Sequence, residues 1–401
     1  MDASVLARVC ALAAFAVSLS TPSVLNSKVL SENGFFAGTV TFENGIITEI
    51  SSKAEPSADG TEDYTGCILA PGFVELQVHG ACGHDFAACT AKEAAQACDY
   101  HLRHGTTTIF PTVTSMAVEK TERALSVLSE LVDRRLSRAV VAGVHLEGPY
   151  FSAAQCGAQN AERITSPIKE DYERILARYG KIIKRWSYAP ERDRDEAFCR
   201  ALVQNGVLPS MGHSDARYED CVRAFAAGCR LVTHLYSCTS TVTRENGFRH
   251  GGIVEAAYEN DEMFVEMIAD GCHLPPELLR LIYKIKGAKR TCLITDAIAA
   301  CGTNEKQTTV GDVPAIIEDG VAKLPDRTAF AGSIATQDRL VRTCVDAGIP
   351  LCDALRMASE TPGTLMGLSV GKIQKGYRAD FVLLNGQLFP EAVFVGGKKE
   401  K

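Results

Sequence analysis

The feature that most constrains this chain is a regular alternation. Between residues 67 and 296, short apolar runs recur at 67–80, 106–113, 140–149, 181–189, 207–212, 230–233, 264–269 and 291–295. Helical patterns at 91–104, 118–137, 194–204, 216–227 and 275–284 separate most of them. Strands that alternate with helices pair in parallel through right-handed crossovers. Eight such units over about 230 residues predict an α/β fold, a (β/α)8 TIM-like barrel, for which about 250 residues is typical.

The ends of the runs carry the chemistry. Residues 140–149, VVAGVHLEGP, pass from apolar residues into His145, Glu147, Gly148 and Pro149. A strand ending in an imidazole and a carboxylate is a poor way to make core. In a parallel barrel the strand C-termini open onto the active-site face. His145 and Glu147 are two apart, so they point to the same side. Gln77, His79, His213, His234, His273 and Asp296 stand at the ends of other runs. Glu147, His213 and His234 offer one oxygen and two nitrogens, a donor set that suits an open catalytic zinc site. Iron, cobalt or manganese would accept the same donors. A metal lowers the pKa of bound water from about 16 towards ~7. Asp296, in LITDA, is placed to take that proton and return it to a leaving amine, as general base and then general acid. His273 is placed to stabilise the oxygen of a carbonyl under attack.

Composition narrows the class. A 46% hydrophobic content over 401 residues supplies a large core and excludes a disordered chain. A net charge of −7 gives no basic face for nucleic acid. An anionic substrate therefore needs a local cationic pocket. The 15 cysteines are odd in number and form no CxxC pair, which predicts reduced thiols in a cytoplasmic enzyme. Residues 1–20 hold an apolar run that resembles a secretory signal. Asp2 offsets Arg8, however, and the run is shorter than the ~20 residues that span a bilayer. An N-terminal helical extension is expected there, and no membrane association. Residues 21–66 and 371–401 are β-like and punctuated by turns, so they are expected to form one small β domain beside a barrel of residues 67–370.

The segments APGFVELQVHG, GVHLEGPY, MGHSDA, THLY, MIADGCHLPP, LITDAI, FAGSIATQD and KGYRADFVLL, taken in order over residues 68–385, carry a resemblance. They resemble the N-acetylglucosamine-6-phosphate deacetylases of the amidohydrolase superfamily. The resemblance implies a barrel with a small β-sandwich domain built from both chain ends. It implies hydrolysis of the N-acetyl group of an amino sugar phosphate. It places the metal on Glu147, His213 and His234, the proton transfers on Asp296 and the substrate carbonyl at His273. It also implies a homodimer, because the family's loop in the region of 244–254 reaches the partner subunit's site.

Three departures from the family pattern matter. Two-metal members carry His-x-His on the first strand and single-metal members tend towards Gln-x-Asn, whereas this chain has Gln77 and His79. An amide is a poor zinc ligand. One tightly held metal per subunit is expected, with Gln77 facing substrate and a weak second site through His79 and Asp296. Where the family has an Asn that helps hold the phosphate, this chain has Ser237, Cys238 and Thr239. Ser237 and Cys238, with His145, are candidate substrate contacts. Arg244 or Arg249 replaces the family's arginine, and either would pair with phosphate. An N-acetylated sugar of galactosamine type, or one without phosphate, is the alternative substrate. Two rival readings fare worse. A two-metal cyclic amidase needs a carboxylated lysine at the end of the fourth strand, which reads SYAPE. A catalytically inactive binding barrel would lack ligands or base, and all four are present.

Overall fold

The computed structural model describes residues 23–52 and 64–401. The expected extension over residues 1–20 lies outside the described residues.

Eight parallel strands form the barrel: β1 (Phe73–Val78), β2 (Thr106–Val113), β3 (Val144–Glu147), β4 (Ile183–Tyr188), β5 (Leu208–Met211), β6 (Leu231–Val232), β7 (Phe264–Met267) and β8 (Thr291–Leu293). They neighbour one another in sequence order from β1 to β8. The connections carry α1 (Ala91–Arg103), α2 (Val118–Asp133), α3 (Lys169–Tyr179), α4 (Ala197–Gln204), α5 (Tyr218–Ala227), α6 (Ile253–Glu259) and α7 (Pro276–Lys286), and α8 (Gln337–Asp346) follows β8. The ring closes just beyond β8. Asp296 N–H donates to Gln77 O at 3.0 Å, and His79 N–H donates to Ala297 O at 2.7 Å. This seam sets the ends of β1 and β8 side by side.

Every residue of β1 and β2 is buried, as strands covered on both faces require. α1 starts at a capping box, with Thr90 accepting from Glu93 N–H and Glu93 reaching back to Thr90 N–H. α3 is not among the helices expected from sequence. Its buried Tyr172, Ile175, Leu176 and Tyr179 keep the helical i, i+3, i+4, i+7 spacing, set among strongly charged neighbours.

The first apolar run is two strands rather than one. Gly72 divides them, and a Cβ there would fall 2.1 Å from Thr107 Oγ1. Before it, Ile68–Pro71 joins a seven-stranded sheet with Ser23–Ser31, Gly34–Glu43 and Ile46–Ser51 from one chain end and Phe381–Leu384, Pro390–Val395 and Lys398–Lys399 from the other. Strand alternation gives this sheet two apolar faces. Leu69, Phe381 and Leu383 pack with Val40, Phe42 and Ile47, while Ile68, Val382 and Leu384 belong to the barrel's core. A three-stranded antiparallel sheet (Gln307–Val310, Val313–Glu318, Val321–Lys323) is inserted between β8 and α8. Among the described residues no helix is long and apolar enough to cross a membrane, and the cysteines are unpaired.

Candidate active site

Three residues leave their strands in a left-handed backbone conformation: His213 (φ 47°), His234 (φ 29°) and Asp296 (φ 49°). Non-glycine residues occupy that region rarely, at a cost on the order of 1–3 kcal/mol each. All three line one cavity of about 270 Å³, together with His79, Glu147, Gln159, Ser237, Cys238, His273 and Phe330. Glu147 ends β3, and Gly148 follows with φ 91°. A Cβ at Gly148 would meet Ser115 Oγ at 2.2 Å.

Glu147 Oε1 lies 3.4 Å from His213 Nε2 and 3.2 Å from His234 Nε2. The outer ring nitrogens are anchored: His213 Nδ1 donates to Gln155 O at 3.0 Å and His234 Nδ1 to Ser237 O at 2.9 Å. A carbonyl only accepts, so Nδ1 carries the proton in both rings. Nε2 of each ring then faces the carboxylate. A carboxylate faced by two ring nitrogens calls for positive charge among them, as ring protons or as a bound cation. The donor set and the anchored tautomers fit a divalent metal.

A second group adjoins the first. His79 Nε2 is 3.3 Å from both Glu147 Oε2 and Asp296 Oδ1, and one ligand atom from each of the three lies within 4.8 Å of the others. Burial pushes the His79 pKa down, but hydrogen bonds to Asp296 and Glu147 outweigh it and lift it to about 10. Burial pushes the Glu147 carboxyl up, but the bonds from His213, His234 and His79 hold it well below the usual range. Both shifts express the same demand for positive charge.

The structure separates the remaining expected residues. His273 faces the cavity, with Nδ1 donating to Asp270 Oδ2 at 2.8 Å and its ring 4.8 Å from that of Phe330. Gln77 is fully buried, turned towards the carboxylates, and does not line the cavity. Its Nε2 donates to Glu147 Oε1 at 2.7 Å and Asp296 Oδ1 at 3.2 Å. His145 points inward like Glu147 but one pleat deeper, between Thr112 Oγ1 (3.2 Å) and Ser187 Oγ (2.8 Å). Burial, then the Arg185 charge, hold His145 well below its ordinary pKa, so it is neutral packing beneath the site. Arg244 and Arg249 pair across an exposed hairpin of Thr243–Glu245 and Phe248–His250, and neither lines the cavity.

Several residues of the site were not expected. Arg185 in β4 is fully buried and donates to Gln77 Oε1 (3.2 Å), Thr233 Oγ1 (2.9 Å) and Glu266 Oε2 (2.7 Å). Glu75 in β1 accepts from Thr295 N–H at 3.1 Å and Gln337 Nε2 at 2.9 Å, and burial pushes its carboxyl up to about 8. The signal for these was present: FVELQV, IKRWSY and FVEM each set a charge inside an apolar strand. Gln159, in the loop after β3, had no comparable signal.

A parallel barrel whose mouth gathers four imidazoles and two carboxylates is that of a barrel hydrolase. The chain belongs to the amidohydrolase family, whose profile matches residues 68–401. It is similar to the human N-acetylglucosamine-6-phosphate deacetylase, at 31% identity over 355 residues covering 85% of each chain. The Caenorhabditis elegans enzyme of the same name is 29% identical over 391 residues, covering 94% of this chain and 93% of its own. A mutant Mycobacterium smegmatis N-acetyl-D-glucosamine-6-phosphate deacetylase, solved in complex with N-acetyl-D-glucosamine-6-phosphate, superposes with a TM-score of 0.87 at 30% identity, over 94% of this chain and 98% of its own.

Proposed function

We propose that this protein hydrolyses the N-acetyl group of N-acetylglucosamine 6-phosphate to glucosamine 6-phosphate and acetate, using one divalent metal per subunit. The observation that carries this reading is the convergence of two Nδ1-anchored imidazoles and the Glu147 carboxylate beside Asp296, in a chain about 30% identical over most of its length to deacetylases of this name. Glu147, His213 and His234 would hold the metal, for which we favour zinc over iron, cobalt or manganese; His79 and Asp296 would form a weaker second site. When bound, the metal supplies a Lewis acid and a water of lowered pKa.

The chain's own residues do the rest. Asp296 Oδ1 is engaged by Gln77 and His79, so Oδ2 takes the proton from the attacking water and delivers it to the leaving nitrogen. His273, with Nδ1 donating to Asp270, would meet the substrate carbonyl through an Nε2–H, acting as imidazolium. Ser237 and Cys238 line the sugar's side of the cavity. Among the described residues, the cavity wall carries no Arg or Lys. Phosphate would instead be met by Arg244 or Arg249 on the hairpin of a partner subunit in a homodimer. The 72% exposure of Phe248 at the hairpin's tip supports that docking. The unpaired cysteines support residence in the cytoplasm. The same lack of a cation favours, as the second reading, an N-acetylated sugar without phosphate.

Acetate release tests both readings. The metal-analysed protein is offered N-acetylglucosamine 6-phosphate, N-acetylgalactosamine 6-phosphate and unphosphorylated N-acetylglucosamine. A strong preference for the first supports the proposal. Equal turnover without phosphate selects the second reading, and no acetate from any of the three refutes both.

A further inference from the structure

Gln159 is 9% exposed, and its amide is held in one orientation. Its Oε1 accepts from Ser115 N–H at 3.0 Å and from the Thr114 hydroxyl at 2.7 Å. A backbone N–H only donates, so this end of the amide is the oxygen and the other end is the NH2 group. That group donates to Glu147 Oε2 at 2.7 Å. Gln77 mirrors it across the carboxylate. Its Oε1 accepts from the Arg185 guanidinium at 3.2 Å, and its Nε2 donates to Glu147 Oε1 at 2.7 Å.

We infer that Gln159 is a positioning residue that holds Glu147 with Oε1 towards His213 and His234 and keeps Oε2 from serving a second metal. The inference rests on the metal site proposed above. Oε2 is the Glu147 oxygen 3.3 Å from His79 Nε2, so it is the oxygen that an ion at His79, Glu147 and Asp296 would share. Each carboxylate oxygen carries one amide N–H, from Gln77 on Oε1 and from Gln159 on Oε2. They differ in their other neighbours: Oε1 faces the two anchored imidazoles, whereas Oε2 is shared between Gln159 and His79 alone. Hydrogen-bonding partners behind metal ligands typically change metal affinity by about 10–100-fold. The bland reading is that Gln159 only packs the loop after β3.

Two variants separate these readings. Gln159→Leu removes the donor. Gln159→Glu keeps the shape and the acceptor for Ser115 N–H, but sets a second carboxylate beside Oε2. Each purified full-length protein is titrated with Zn2+, desalted and assayed for metal content. The zinc Kd is measured by chelator competition, and circular dichroism reports folding. The wild type is expected to hold one zinc tightly. Gln159→Leu is expected to weaken that Kd by about 10–100-fold, and Gln159→Glu to take up a second equivalent. If Gln159→Leu does not fold, the isosteric Gln159→Glu decides alone. Folded variants that hold one zinc with a Kd within about twofold of wild type overturn this inference and leave the metal site standing. A wild type that binds no zinc overturns both.

Discussion

Replacing Arg185 with methionine strands the Glu266 carboxylate inside the barrel. Both residues are 0% exposed. The guanidinium forks onto both carboxylate oxygens and also donates to Leu76 O, Gln77 Oε1, Ser210 Oγ and Thr233 Oγ1. Burial raises the Glu266 carboxyl pKa even with Arg185 beside it. Breaking a buried pair by removing one partner costs about 3–5 kcal/mol, whereas replacing both partners with apolar groups is often neutral. Methionine fills the volume of the arginine stem, so the loss is chiefly electrostatic. It therefore depends on pH. Without Arg185 the folded-state pKa of Glu266 rises further above its unfolded value, so the penalty grows as pH rises and shrinks on acidification. Urea unfolding of Arg185→Met, Glu266→Leu and the double variant, at pH 7.5 and 5.5, completes a double-mutant cycle. We expect Arg185→Met to lose about 3–5 kcal/mol at pH 7.5 and less at pH 5.5, and the double variant to recover most of the loss. A single variant within about 1 kcal/mol of wild type at pH 7.5, or a double variant as unstable as the two singles together, refutes the reasoning.

Asp296→Asn is expected to keep fold and metal while losing about 10²–10⁴ in acetate release, because an amide cannot take and return the proton; turnover within about threefold of wild type would sink that role. His213→Ala is expected to lose most bound metal in elemental analysis at unchanged far-UV circular dichroism, since only two ligands of the Glu147 group remain; full metal occupancy would dissolve the assigned site. His101 is fully buried, with Nε2 donating to Gly80 O at 3.1 Å, and burial lowers its pKa from 6.5 to about 4. The folded ring resists protonation, so its contribution is fully present above pH 6.5 and lost as pH falls towards 4, up to about 3 kcal/mol. The melting temperature is expected to fall over that window, and less steeply in His101→Gln; parallel slopes for the two proteins would refute it.

The barrel and its mouth were legible because their signals are local. Apolar runs alternating with helices, and histidines or carboxylates at the ends of those runs, already place Glu147, His213, His234, His273 and Asp296 on one face. Each of these five lines the same cavity. Local signals fail where a residue's meaning depends on its partner. His145 and Glu147 share a side of β3, and one pleat of depth makes the first packing and the second a cavity residue. Residues 67–80 read as one run, but Gly72 hands the chain from one sheet to another because Thr107 leaves no room for a Cβ. The charges of Glu75, Arg185 and Glu266 are visible in sequence, yet only barrel closure shows that Arg185 meets Glu266 and Gln77.

The sequence by itself therefore determined the class of fold and the kind of chemistry at its mouth, because periodicity and strand-end composition are properties of neighbouring residues. Only the tertiary structure decided the orientation of the Gln77 and Gln159 amides, the partner of each buried charge and the place of Arg244 and Arg249. Those are set by the stagger of strands far apart in the chain, where a hydrogen bond a few ångströms long chooses between a ligand, a guard and a packing residue.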